Sequence, residues 1–598
     1  MMKEKKERNF LWMIVGLGVM VLCYVLVWCV TSDWGKINVN RMKFAYGVEA
    51  GGNGSYEGSY LLYAPDTATQ ENPGQLILLI HGGTSNCFAL KNYAMELARR
   101  GYVVVTPDLP TTGYSDSVGE AGANALGKSN DVFLTALEKH LESYDFVKED
   151  FCVIGFSNGS TTARTMITLF PEKYISYANV TNYKNQEQKA GADLGIPYWG
   201  IQPYGSSDYT YAKSGARPRA NADYNGYTET IDVNGITCYC YYTNHGYVHV
   251  LIPDSTEMVS NAIRLQEMVV PSGIDHGLKS TQLVFWWAEI FALIGLVAMI
   301  VFIVSFIGLL LETNFFSSVK HEDCPILAVA PSTRKEKLIK VGIGVAEFAV
   351  FVFLYKVMGG KVVFKTTKFH PIWINNLLPY LLVLAAWQIA KFVFWHFKCK
   401  KNGEGNLVNY GFAWNGDIKY NLANIGKSFI LALFSVLIVF VVAEYMNFNL
   451  GVNFQFMVFT MSALTLKKAA ATPFYIICYI IIFIGAHLMA YSMRTKDCTV
   501  SSKATLWDAL KGAFITIAPI LLWCIYNYLV WKEVIISGKM DTVADRLYGY
   551  VLIVMIIGPL HAFIYKKTKN VWPGIFTCAM MITFMVCSNY PLSASYFV

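Results

Sequence analysis

Charge is what this chain has least of. Only 15% of its 598 residues are Asp, Glu, Lys or Arg, while 54% are hydrophobic, against roughly 25% charged in an ordinary soluble domain. That composition excludes a disordered chain, a collagen-like chain and a wholly cytosolic enzyme. Paired cysteines are also lacking. The thirteen cysteines are scattered with no C-x-x-C pair, and Cys23, Cys29, Cys478, Cys524, Cys578 and Cys587 lie inside apolar runs, so neither a zinc site nor a disulfide framework is expected. Nor is there a basic stripe. The 49 Lys+Arg against 42 Asp+Glu, net +7, collect in short clusters between apolar runs, a pattern that orients a chain in a membrane and argues against nucleic-acid binding.

What is there divides into three parts. Residues 1–34 hold a basic head (Lys3, Lys5, Lys6, Arg8) and an apolar run from Phe10 to Val30, about the 20 residues that cross a hydrocarbon core. Nothing convincing for cleavage follows it, so an uncleaved signal anchor with a cytoplasmic N-terminus is expected. Residues 35–280 read as a globular α/β domain. Gln75 to Ile80, Tyr102 to Thr106, Phe151 to Ile154, Ile175 to Thr181, Ile196 to Ile201 and Thr237 to Tyr242 have the character of strands, with helical periodicity between them at Asn92 to Arg100 and Ser129 to Tyr144. The alternation predicts a mostly parallel, doubly wound sheet.

Residues 281–598 carry about eight further apolar segments, near Leu283 to Leu311, Ile339 to Val357, Trp373 to Phe394, Phe429 to Met446, Phe474 to Met493, Gly512 to Trp531, Tyr548 to Tyr565 and Trp572 to Tyr590. They read as an all-α polytopic membrane domain. With the α/β domain outside, the basic loops at Lys335, Lys400, Arg494 and Lys567 fall inside, and only Lys361, Lys365 and Lys368 dissent. Phe454 to Leu466 is too short to span and reads as interfacial or re-entrant. Glu289, Glu347, Glu444, His487 and His561 fall within spans, where ionisable groups are costly. Helix-to-helix hydrogen bonding is the favoured role for them, and a polar path for substrate the sharper one.

The chemistry centres on Gly155-Phe156-Ser157-Asn158-Gly159, a G-x-S-x-G sequence with an apolar strand before it and a helix, Ser160 to Phe170, after it. A nucleophile elbow needs that context, because the turn is tight enough to strain the serine and glycines on either side must keep Cβ atoms away from neighbouring backbone. Ser157 is the candidate nucleophile.

Two further stretches carry a family likeness. His81-Gly82-Gly83 directly follows a strand, and Val103 to Ser115 runs VVVTPDLPTTGYS. Together with the elbow they resemble the α/β-hydrolase family, over about residues 37–270. The resemblance implies an oxyanion hole from the backbone N–H groups of Gly83 and Asn158, with the His81 side chain bracing its loop. It also implies an acid and then a histidine after the serine. The strand Ile196 to Ile201 followed by Gly205-Ser206-Ser207-Asp208 is similar to the family's G-x-x-D loop and selects Asp208, with Asp223 and Asp232 as alternatives. His249 sits shortly before the last helix, as the family's base does, and is preferred over His245. That helix would be opened by Asp254-x-x-Glu257. His140 and His276 read as structural or exposed. No cofactor or metal is implied.

The expectation is therefore a membrane serine hydrolase with an extracytoplasmic catalytic domain, acting on an acyl ester that includes lipid or lipid-linked esters, with membrane lipids as its surroundings. An acyltransferase using the same triad and a membrane-delivered acceptor is the nearest alternative. A transporter or receptor with a non-catalytic hydrolase-like domain is the other.

Overall fold

The computed structural model describes the chain except for residues 1, 48–54, 83–84, 111, 117–121, 182–184, 204–225, 244–248, 322–332, 337, 340, 347–348, 350–377, 402, 404, 457–458, 462–463, 465–468, 470–471, 492–500, 508, 512, 515–540 and 590–598. A long helix, α1 (Met2–Thr31), leads into a nine-stranded sheet: β1 (Ile37–Gly47), β2 (Ser55–Pro65), β3 (Gly74–Ile80), β4 (Val103–Asp108), β5 (Val147–Phe156), β6 (Tyr174–Val180), β7 (Tyr198–Pro203), β8 (Tyr227–Val233) and β9 (Ile236–Thr243). The spatial order is β1-β2-β4-β3-β5-β6-β7-β9-β8. Strands β4, β3, β5, β6, β7 and β9 are parallel, whereas β1, β2 and β8 join by antiparallel pairing. The sheet is thus mixed, with antiparallel strands at both edges.

Buried parallel strands must satisfy apolar neighbours on both faces, and the side chains of β3 show how. Leu76, Leu78 and Ile80 join one core with Phe133, Leu134 and Leu137 of α3 (Gly122–Leu141) and Ala163, Met166 and Ile167 of α4 (Gly159–Leu169). Ile77 and Leu79, pointing the other way, join a core with α2 (Lys91–Ala98) and α6 (Thr256–Val269). A short helix, α5 (Asn185–Ala192), precedes β7.

The second core continues into the long apolar helices. Met20, Cys23, Tyr24, Val27 and Val30 of α1 and much of α7 (Phe285–Leu310) belong to it. Asn9 lies against Gly308, and Gly16 against Ala298 and Phe302, so α1 and α7 run antiparallel. A Cβ at Gly16 would stand 2.7 Å from the Phe302 nitrogen, which marks a close helix crossing of the kind small residues permit. Further on come α8 (Leu378–Lys401), α9 (Ile418–Leu450), α10 (Thr472–Tyr491), α11 (Asp541–Thr568) and α12 (Val571–Asn589).

Four helices among the described residues are long and apolar enough to cross a membrane: Lys6–Thr31, Phe285–Leu310, Ile418–Leu450 and Val571–Ser588. The segments expected at Ile339 to Val357 and Gly512 to Trp531 lie largely outside the described residues, as do Lys361, Lys365 and Lys368. Within the short apolar stretch after α9, the described residues form a small antiparallel hairpin, β10 (Phe454–Phe456) and β11 (Phe459–Met461).

Candidate active site

Ser157 stands between the end of β5 and the start of α4, half-buried, with φ of +53°. A non-glycine residue held in the left-handed region costs on the order of 1–3 kcal/mol. The backbone around it fixes that conformation: the Ser157 N–H donates to the Val180 carbonyl at 3.0 Å, and the Ser157 carbonyl accepts from the Ser160 N–H at 3.0 Å. Both glycines of the motif have a steric reason. A Cβ at Gly155 would stand 2.5 Å from the Ser160 Cα, and one at Gly159 would stand 2.4 Å from the carbonyl oxygens of Ile80 and His81. Gly82 lies against the elbow as well, its missing Cβ 3.2 Å from the Ser157 Cβ.

That contact places the His81-Gly82 loop beside the nucleophile position. The buried His81 ring holds the loop: Nδ1 donates to the Gly82 carbonyl at 2.7 Å, and Nε2 accepts from the Leu109 N–H at 3.3 Å. A carbonyl on one nitrogen and an amide on the other define the neutral Nδ1-protonated tautomer. Burial pushes the imidazole below its ordinary pKa and outweighs the opposing pull of the Gly82 bond and the Asp108 charge. Asn158 caps the start of α4, and among the described residues its N–H has no acceptor, as expected at a helix start. It is available to an oxyanion. Gly83 lies outside the described residues.

The six parallel strands all end on one edge, so the segments leaving β7 at Pro203 and β9 at Thr243 emerge on the same side as Ser157. At the usual strand spacing they start about 10 and 14 Å away from β5. Asp208, Asp223 and His245 lie outside the described residues. His249 opens a 3-10 turn, His249–Asp254, and its side chain is likewise outside the description. The far end of that turn is tied back across the sheet: Asn92 Nδ2, at the start of α2, donates to Asp254 Oδ1 at 2.9 Å. The turn therefore bridges from β9 toward the element that follows the His81 loop.

The structure bears on three sequence expectations here. Asp254 does not cap α6; Ser255 does, accepting from the Met258 N–H at 3.3 Å, because Asp254 is engaged by Asn92. Asp232 accepts from the Gly235 N–H in the β8–β9 turn, a turn role at the sheet margin. Glu289 and Glu444 both bond to the α/β unit, Glu289 helix to helix with α2 and Glu444 to the loop after β4. Glu289 pairs with Lys91 at 2.8 Å, and Glu444 accepts from the Tyr114 hydroxyl at 2.6 Å. Burial, with Glu289 beside it, holds Asp254 well above the usual carboxylate range, while Lys91 and Asn92 pull the other way. His561 packs on Gly574, 3.1 Å from its missing Cβ. Glu347 and the His487 side chain are outside the description. His276 pairs with Glu267 and His140 stacks on Phe44, so both are structural.

Two features gave little sign in the sequence. Asp108 of the VVVTPDLPTTGYS stretch is fully buried, pairs with Arg41 at 3.1 Å and accepts from the Cys87 and Tyr114 N–H groups. Gly113 is glycine because a Cβ there would overlap that carboxylate. Thr181, next to the elbow at the end of β6, is buried with φ of +69°, and its hydroxyl has no partner among the described residues. A strained β-branched residue is an outlier, and only the backbone reveals it.

No family model matches this chain, and no curated protein matches it. Solved structures match in part. A Vigna radiata epoxide hydrolase mutant is 17% identical over 24% of this chain and 39% of its own, at TM-score 0.19. A thermophilic esterase of Thermogutta terrifontis is 19% identical over 24% and 45%, at 0.19. A predicted CIB-like hydrolase of Thermoplasma acidophilum is 14% identical over 38% and 98%, at 0.27. The chain spans less than half the length of the first two, so the fold rests on the strand order and the elbow described above.

Proposed function

We propose that this protein is a membrane-bound serine hydrolase of the α/β-hydrolase kind that cleaves an acyl ester. The observation that carries the reading is Ser157 itself: a strained serine on a strand-to-helix turn, at the carboxyl edge of parallel strands, with Gly155 and Gly159 packed where a side chain would not fit and Gly82 in close contact with the turn. In this reading His249 takes the proton from the Ser157 hydroxyl as Oγ attacks the ester carbonyl. The new Oγ–C bond forms, and the carbonyl electron pair moves to an oxyanion held by the N–H groups of Gly83 and Asn158. When that pair returns, the C–O bond to the alcohol breaks and His249 gives its proton to the departing oxygen. Water repeats the sequence on the acyl-enzyme, with Asp208 holding the histidine tautomer throughout.

The long apolar helices support membrane residence. A catalytic unit on the extracytoplasmic side is supported by the basic residues at the opposite end. Lys567 Nζ reaches Asn9 Oδ1 at 2.5 Å, just beyond the Lys3 to Arg8 head, as the distribution of charge across membranes favours. Labelling with a fluorophosphonate probe tests the chemistry. Wild type is expected to label and Ser157→Ala not to, with turnover lowered roughly 10⁴- to 10⁶-fold; wild-type turnover in the variant would end the proposal.

A further inference from the structure

The side of the sheet on which Ser157 lies is also the side toward which the long helices run. Helix α2 starts at the carboxyl edge, after the β3 loop, and descends. Helix α7 climbs beside it in the opposite sense. Its first amides, Val284 and Phe285, donate to Glu96 Oε1 near the bottom of α2 at 2.6 and 3.1 Å, and Glu289, one turn higher, pairs with Lys91 at the top at 2.8 Å. From there α7 continues past the edge. Contacts of α9, the hairpin and α11 with the α/β unit lie at this same edge. Asn447 of α9 accepts from Arg41, which is bound to Asp108 at the end of β4. Glu444 accepts from Tyr114 in the loop after β4. Lys91 Nζ donates to the Gln455 carbonyl of the hairpin at 3.1 Å, and α11 packs on the turn opened by His249.

The depth can be read along α7. Trp286 and Trp287 are exposed, 40% and 44%, and stack on each other, where aromatic residues mark a membrane boundary. From Trp287 to Gly308, where Asn9 and Lys567 mark the far boundary, the helix rises about 30 Å, one hydrocarbon thickness. Glu289 and the carboxyl edge thus sit just inside the near boundary. Among the described residues there, Lys91 pairs with Glu289, Arg41 with Asp108, Glu444 with Tyr114 and Asp254 with Asn92. Such pairing is what allows charged groups to stay at that depth.

We infer that Ser157 is reached from within the bilayer, so that the substrate class is an acyl ester of a membrane lipid, whose carbonyl lies at the boundary between head group and hydrocarbon. This rests on the serine-hydrolase reading above and deepens it. Helices α7, α9 and α11 and the hairpin flank this edge, and a lipid ester is already at the right depth.

The test locates the serine rather than comparing substrates, because any membrane-bound enzyme favours probes that partition. Full-length protein in lipid nanodiscs, with both faces open to buffer, is labelled with a short dansyl fluorophosphonate. Emission is then quenched either by doxyl groups placed shallowly on the lipid chains or by aqueous iodide. The expected result is a severalfold loss of emission in doxyl discs and almost none with iodide. Label that depends on Ser157 but is quenched by iodide and not by doxyl lipid overturns the access route and leaves the hydrolase reading standing. Absence of any label lost in Ser157→Ala withdraws both.

Discussion

At the scale of single residues, the chemistry turns on a proton path of which the serine end is the best defined. The strain at Ser157 is held by backbone bonds to Val180 and Ser160, so the hydroxyl is presented without a rearrangement that would add to the barrier. A histidine must accept its proton, and replacing the right one removes that path. His249→Ala is expected to lower turnover nearly as far as Ser157→Ala, and His245→Ala much less; measured severities in the opposite order would move the base to His245. Asp208→Asn should leave the fold intact and cut turnover by about 10⁴ through the wrong tautomer, and a fully active variant would send the search to Asp223, since Asp232 serves its own turn.

The glycines of the elbow make a second residue-scale prediction. Gly159→Ala puts a methyl 2.4 Å from two carbonyl oxygens that belong to β3 and the His81 loop. Backbone cannot swing aside as a side chain can, so the variant should lose about 1–3 kcal/mol of stability and a larger share of activity, because the displaced loop leads to Gly83, the proposed oxyanion donor. Unchanged thermal midpoint and turnover would show that this contact does not constrain the loop.

At the scale of elements, the parallel strands were legible and the antiparallel ones were not. Leu76 to Ile80 and Val103 to Val105 are continuous apolar runs because both faces are covered, and they stand out against any background. Strand β1 alternates buried and exposed residues in INVNRMKFAYG, and β8, YTETIDV, lies at the other sheet margin. Half-solvated edges read like loop sequence. The elbow was legible for the same reason as the core strands, since its strand, serine and glycines are contiguous. The Arg41–Asp108 pair was not, because its partners lie 67 positions apart and meet only through strand order.

Helix α3 carries an element-scale prediction about pH. Glu138 is buried in its inner face, and burial pushes its pKa up to about 7 against the pull of the Tyr174 hydroxyl, which donates to Oε2 at 2.7 Å. In the unfolded chain the same carboxyl titrates near about 4.3. Below that value both states hold the proton. As pH rises toward 7 the unfolded state releases it first, so the folded state binds more protons and stability declines with pH, levelling off above 7. Glu138→Gln removes this loss. The variant should be more stable than wild type by about 1–2 kcal/mol at pH 8 and closer to it at pH 5, read as thermal midpoints in detergent. Midpoints that run parallel across that range would mean that Glu138 does not titrate on folding.

At the scale of the whole molecule, the antiparallel pair α1 and α7 fixes the frame. The α/β unit is inserted between these two helices, so both of its ends emerge on one side, and Gly16 lets the helices meet closely enough to share the sheet's second core. The opposite end gathers basic groups: Lys567 beside Asn9, with Lys398, Lys400 and Lys401 at the end of α8. Cys399, near that end, shares a small core with Tyr410, Phe412, Tyr565 and Val571. This arrangement predicts sidedness. A cysteine at the exposed Glu71, in the loop between β2 and β3, should react with a membrane-impermeant maleimide on intact cells. One at the exposed Lys401 should react only after the membrane is opened, in both cases with Cys324, Cys498 and Cys524, which lie outside the described residues, replaced by serine; the described native cysteines are buried apart from the half-buried Cys29. The reverse pattern would put Ser157 on the cytoplasmic side and move its lipid ester to the inner leaflet, with the serine chemistry and the bilayer-facing edge unchanged. Reaction at both sites on intact cells would break the frame itself, because the two ends of the α1–α7 pair cannot share one side of a membrane that the pair crosses.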